Sequence, residues 1–135
     1  MAAANDSGAF NGKYIASAIA DSGKGAWSFS VPAPGTYVVW CRVKSPTPAT
    51  DSFWVKVDSG AEDVYDTAEG TWQPAWQWTR VNGRGGTGIP LTLNPRTFAL
   101  SAGPHTLTLR GREPGTKADR VIVTNDLAFV PTETP

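Results

Sequence analysis

Trp72, Trp76 and Trp78 fall within the stretch Thr71-Trp72-Gln73-Pro74-Ala75-Trp76-Gln77-Trp78. An indole plane offers a broad apolar surface that can cover the C–H face of a flat ring. Around such plates, Lys, Arg, Asn and Asp can bond the hydroxyls on a ring's rim. The chain has six Trp but one His and one Cys in 135 residues. It is therefore better equipped to hold a flat, hydroxylated ligand such as a sugar than to transform one.

Catalytic constellations are poorly supported. Glycoside hydrolysis needs two carboxylates flanking one bond. Glu62, Asp63, Asp66 and Glu69 share one stretch, but nothing sets an acid against a base, and the stretch reads as a solvated face. His105 reads as part of a hairpin turn with no Ser or Cys nucleophile pattern beside it. The expectation is a protein that is not an enzyme.

Twelve Lys and Arg balance twelve Asp and Glu. A net charge of zero gives no field to steer nucleic acid or an anionic membrane surface towards the chain. No apolar run approaches the length of a membrane span, and Met1-Ala2-Ala3-Ala4 lacks the features of a signal peptide. Cys41 can form no internal disulfide and is expected to be buried on a strand. The length fits one domain, 1–135, with 1–10 and 131–135 as loose termini.

The elements that must position the tryptophans read as strands joined by turns rich in Gly and Pro. Phe29-Ser30-Val31 runs into the turn Pro32-Ala33-Pro34-Gly35. From Tyr37 to Val43 the chain alternates, with Tyr37, Val39, Cys41 and Val43 on a core face and Val38, Trp40 and Arg42 opposite. Phe53, Val55 and Val57 read as inward, and Trp54, Lys56 and Asp58 as outward. Further strands are expected at 76–81, 91–93, 97–100, 105–110 and 120–124, with Asn125 and Asp126 ending the last. The stretch 82–88 lacks the strand–loop–helix context of a phosphate cradle and reads as a flexible loop. Tyr14 to Ala20 is the one stretch with some helical character. Trp27 is expected in the core. Trp40 and Trp54 are expected to pack beneath loops, with a second aromatic platform as the alternative. The fold class is all-β, a sandwich of two antiparallel sheets.

Several of these stretches, in order, resemble carbohydrate-binding modules of families 6 and 35. Phe29-Ser-Val-Pro-Ala-Pro-Gly-Thr-Tyr37 through Val43 resembles their strand pair around a Gly turn. Phe53 to Asp58 is similar to their next strand. Gly70-Thr-Trp72 with Trp78-Thr-Arg-Val81 is similar to their "G-x-W…W-x-x-V" segment. Phe98-Ala-Leu-Ser-Ala-Gly-Pro-His-Thr-Leu-Thr-Leu109 resembles their "L-x-A-G-x-H-T-L" hairpin, and Lys117 to Val123 falls where they carry "N-x-D-x-I-x-F". The resemblance covers residues 27 to 130. It implies a jelly-roll, lectin-like, galactose-binding-like sandwich that binds a polysaccharide or oligosaccharide at loop tips. It also implies a monomeric module of an extracellular protein, attached to a carbohydrate-active enzyme such as a glycoside hydrolase.

Residue by residue, Trp78 matches the stacking Trp, with Trp76 and Trp72 as neighbours. Lys117 stands where the families carry a sugar-binding Asn and could pair with a uronate. Arg112 lies in the loop beside the expected cleft, and Tyr14 is a candidate second stacking plate. Asp119 matches a late acidic ligand of a structural Ca2+, although the start Ala2-Ala3-Ala4-Asn5-Asp6 departs from the acidic strand that supplies the others. The alternative function is a structural or adhesion sandwich mediating protein contacts.

Overall fold

A computed structural model describes residues 2–5, 13–16, 24–47, 52–68, 72–83, 96–113 and 115–131. Among these residues ten strands are formed: β1 (Ala2–Asn5), β2 (Lys13–Ala16), β3 (Lys24–Val31), β4 (Gly35–Ser45), β5 (Ser52–Val57), β6 (Asp63–Asp66), β7 (Gln73–Arg80), β8 (Phe98–Leu100), β9 (Gly103–Gly111) and β10 (Lys117–Thr124). They make two antiparallel sheets. One is six-stranded in the order β1-β2-β10-β4-β7 with β8 also on β4, and the other is four-stranded in the order β3-β9-β5-β6.

The core lies between the sheets, where inward positions recur every second residue. Val39, Cys41 and Val43 of β4 meet Phe53 and Val55 of β5 and Leu107 and Leu109 of β9, all fully buried. Each such Val or Leu is worth roughly 1.5–3 kcal/mol of burial. Burial also pushes the Cys41 thiol up to about 12, so it stays a neutral, inert part of the core.

Four expectations are corrected. The strand carrying the tryptophans starts at Gln73, not Trp76. Residues 14–16, read as weakly helical, are in β2, which pairs along its whole length with β1. The two supposed hairpins are sheet-crossing connections. β3 and β4 lie in different sheets, and β8 pairs with β4 while β9 pairs with β3 and β5. Gly103, with φ 111°, makes the corner that carries the chain across.

The fourth correction concerns the acidic stretch. Asp63 and Asp66 are buried in β6, which pairs with β5. Asp63 Oδ1 accepts from the Val64 N–H at 2.7 Å, and Arg96 Nη1 lies 3.6 Å from Oδ2. Gly83 leaves room for this carboxylate, because a Cβ there would collide with Asp63 Oδ2. The fully buried Asn82 side chain accepts from the Asp66 N–H at 2.8 Å and donates to its carbonyl at 3.0 Å, completing a backbone that, among the described residues, has no strand on that side. Glu62 remains exposed as expected. The expectations for 17–20, Glu69, 84–88, 91–93 and the two chain ends lie outside the described residues.

Candidate functional site

Tryptophans and cations share the outer face of the six-stranded sheet. Three polar links hold β7 and β4 against β6 and its following turn. Tyr65 Oη meets Thr79 Oγ1 at 2.6 Å, Asn82 brackets Asp66, and Ser45 Oγ meets Thr67 Oγ1 at 2.5 Å. With β7 fixed, the register sets three rows across β10, β4 and β7. Ile122, Trp40 and Arg80 form the first, and Arg120, Arg42 and Trp78 the second. In the third, Lys117 pairs with Lys44, whose ammonium lies 5.9 Å from the Trp76 ring.

Indoles and cations therefore alternate. Arg80 lies over Trp40 at 5.4 Å, Arg42 over Trp76 at 5.2 Å, and Arg120 over Trp78 at 5.7 Å. A cation over an indole face is attracted to the ring's quadrupole and shields part of the ring from water. This is why Trp76 and Trp78 are half-buried and Trp40 and Arg42 are buried, although they point away from the core. Trp40 thus packs beneath the Arg80 guanidinium. Trp72 differs: it stands just before β7 and is 44% exposed. Its neighbour Gln73 pairs with Ser45, next to Lys44. An exposed indole thus sits at the end of the sheet that carries Lys44, Lys117 and Trp76.

Asp119 sits at a bulge between Ala118 and Arg120. Its side chain is fully buried and accepts from Arg42 Nη1 at 2.5 Å. Ca2+ takes six to eight oxygen ligands, and among the described residues no group of three or more His, Cys, Asp or Glu could hold a metal. Among the described residues, the polar partner of the Asp119 carboxylate that stands out is the Arg42 guanidinium.

The other sequence candidates are elsewhere. Tyr14 lies in β2, with its side chain outside the described residues. Arg112 is not beside Trp76 or Trp78. Its guanidinium lies over Trp54 on the four-stranded sheet at 5.4 Å and donates to Ser52 Oγ at 2.8 Å. Trp27, expected in the core, is half-buried at the wall of an inter-sheet cleft of about 360 Å³, shared with Phe29, Tyr37, Val121, Val123 and Asn125. Arg42, Lys44, Arg80 and Arg120 were not singled out from the sequence. Their signal was an every-second-residue pattern on β4, β7 and β10, which gains meaning only once the register is known.

The solved structures of similar shape settle the fold. A family 35 carbohydrate-binding module from an environmental isolate superposes with a TM-score of 0.68 at 18% identity, covering 99% of this chain and 88% of that one. The fold is that of the family 35 carbohydrate-binding modules. A family 35 module from Clostridium thermocellum gives 0.65 at 14% identity, with 91% and 86% covered. An exo-beta-1,3-galactanase from Phanerochaete chrysosporium, solved with beta-1,3-galactotriose, gives 0.66 at 15% identity. There the match spans 91% of this chain but only 26% of the galactanase, so the shared fold is one part of a longer enzyme. No protein-family model and no curated protein matches the sequence. The family 35 likeness is thus one of fold.

Proposed function

We propose that this chain is a non-catalytic carbohydrate-binding module. It holds a polysaccharide or oligosaccharide at the Trp72 end of the six-stranded sheet and acts as a monomer that targets an attached carbohydrate-active enzyme outside the cell. The observation that carries this reading is the exposed Trp72 indole beside the Lys44–Lys117 row, on a fold shared with family 35 modules. Trp72 supplies the apolar plate, and the two ammonium groups and Trp76 supply the rim. Lys117, the family's Asn position, falls at this end of the sheet.

The test is a binding screen of the whole chain against neutral and acidic polysaccharides, with and without a calcium chelator. Trp72→Ala is expected to weaken a hit by about tenfold or more, in line with the loss of one aromatic anchor, while leaving the melting temperature nearly unchanged. Loss of binding on chelation would bring calcium back into the site. Silence across a broad panel from folded protein would overturn the proposal. It would favour a sandwich that mediates protein contacts, a reading supported by the exposed side chains of Leu127, Phe129 and Val130.

A further inference from the structure

The cleft between the sheets at Trp27 is built from core positions that the fold leaves open. β3 ends the four-stranded sheet. Among the described residues, β2 pairs with β10 at Ala118 alone, so the outer edge of 120–124 has no strand beside it. Register shows which side chains point inward, because directly opposed residues share a face. Trp27 opposes Leu107 and Phe29 opposes His105, while Val121 opposes Cys41 and Val123 opposes Val39. Leu107, Cys41 and Val39 are fully buried, but Trp27, Phe29, Val121 and Val123 are only half-buried. These four therefore line the cleft of about 360 Å³ instead of closing the core.

Two features decide what such a cleft can take. The first is charge. No carboxylate, ammonium, guanidinium or imidazole lines it, although the chain has twelve Lys and Arg and twelve Asp and Glu. An ion entering the cleft would lose water and gain no counter-charge, which favours an uncharged ligand. The second is the state of the indole. Trp40, Trp54, Trp76 and Trp78 each lie under a guanidinium, at 5.2–5.7 Å. Among the described residues no cation is seated over Trp27, so its apolar face is open for a ring to stack on. Phe29 rests against His105, with ring centroids 5.7 Å apart, which fixes this wall of the cleft.

Polar groups suited to hydroxyls stand around these apolar walls. Asn125, exposed just after β10, offers two donors and an acceptor, and the Trp27 indole N–H adds a donor. The open edges of β3 and β10 carry backbone N–H and C=O groups. The volume of about 360 Å³ lies at the small end of ligand pockets. That suits one or two sugar rings better than an added strand, which typically runs ~17–20 Å. We infer that this cleft is a second binding site, for an uncharged mono- or disaccharide unit that stacks on Trp27 and is bonded at its rim by Asn125. Lys117 opens β10, and Asn125 follows the last of its 8 residues. At about 3.3 Å per residue, roughly 25 Å separates Asn125 from Lys117. The second site therefore stands whether or not the Trp72 end binds a glycan.

The experiment is an NMR titration of the isotope-labelled whole chain with galactose, cellobiose and galacturonate. At least one neutral sugar is expected to shift the Trp27 indole N–H and the amides of Phe29, Val123 and Asn125 saturably. Galacturonate should bind there about tenfold or more weakly, because its charge would be desolvated without a partner. Asn125→Ala is expected to weaken binding roughly threefold to tenfold, the loss of one or two hydrogen bonds, without moving the melting temperature. Trp27→Leu keeps the site apolar and should lose about tenfold or more, while Trp27→Phe, which keeps a ring, should retain most of the affinity. Shifts confined to Trp72, Trp76 and Lys117 would overturn the second site and leave the Trp72 reading standing. Galacturonate binding in the cleft as tightly as the neutral sugars would overturn the uncharged class. An extended Val-Thr peptide that shifts the β3 amides when the sugars do not would overturn the site in favour of strand addition to the open edge. No shift of the cleft signals by either neutral sugar would overturn it outright, and polysaccharide binding lost in Trp72→Ala would still uphold the other reading.

Discussion

On the four-stranded sheet, Trp54 lies under two guanidiniums, Arg110 at 5.3 Å and Arg112 at 5.4 Å. Both are tied down. Glu62 accepts from Arg110 Nε at 2.9 Å and Nη2 at 3.0 Å. Arg112 donates to Ser52 Oγ, which donates to Glu113 at 2.6 Å, and Glu113 stands 4.0 Å from Arg112. On the six-stranded sheet the same unit, a cation over an indole, recurs around Trp40, Trp76 and Trp78, and Asp119, the one carboxylate in the sequences of β4, β7 and β10, is buried against Arg42. The difference lies in the carboxylates rather than the aromatics. Where each guanidinium over an exposed-face indole has an acid within reach, as around Trp54, the unit braces the surface; around Arg42 the acid is instead buried within the sheet.

The largest expected effect comes from the one carboxylate on the cation-rich face. Asp119→Ala leaves the Arg42 guanidinium, only 8% exposed, without its buried counter-charge. A loss of about 3–5 kcal/mol is expected from breaking a buried pair on one side, measured by urea unfolding. Arg42→Met combined with Asp119→Leu should recover most of it, because removing both charges removes the uncompensated one. A loss below about 1 kcal/mol for Asp119→Ala would place this pair with the exposed ones and break the comparison at its strongest point.

A second, pH-dependent effect belongs to the braced sheet. Both ring nitrogens of His105 face acceptors, Nε2 the Ser101 carbonyl at 2.7 Å and Nδ1 Asp58 Oδ2 at 2.6 Å. The bond to Ser101, then that to Asp58, raises the His105 pKa. The bond from His105, then the Thr106 N–H at 2.8 Å, lowers that of Asp58. The contribution of His105 is complete below the ordinary imidazole range and is lost as pH rises through its raised value. That of Asp58 is complete above the ordinary carboxylate range and is lost as pH falls through its lowered value. The melting temperature should therefore be highest between the two ordinary ranges and fall on either side, and Asp58→Asn should flatten both slopes. An unchanged profile in that variant would show that the pair contributes nothing.

Much of this architecture was legible in the sequence. The inward faces of β4, β5 and β9 follow from alternation alone, because a strand between two sheets must bury every second residue. Strand β6 was not legible. Asp63 and Asp66 read as solvated, and their burial depends on Asn82, Gly83 and Arg96, whose partners lie 16 or more positions away. The corner at Gly103 reads the same for a hairpin and for a sheet crossing, and only the pairing of β8 with β4 decides between them. Of the proposed site, Trp72 and Lys117 are the residues that residue type and family likeness point to. The cation rows could not be found that way, since Arg42, Arg120 and Trp78 are neighbours only through cross-strand register. Arg112 was assigned to the cleft by its place in a loop, and Trp54 draws it to the other sheet.

The smallest expected effect tests the comparison most directly. Glu62→Gln removes a carboxylate from an ion pair whose partners are about one-third exposed, so stability should fall by about 0.2–1 kcal/mol at most. The more informative readout is binding. If its paired acids are what keep the Trp54 face from taking anions, then Glu62→Gln with Glu113→Gln should give the four-stranded sheet a measurable, salt-sensitive affinity for polygalacturonate. The gain should be a few-fold only, because two guanidiniums over one indole make a small array. No gain in a folded protein would mean that the acids brace this surface without deciding what it can bind.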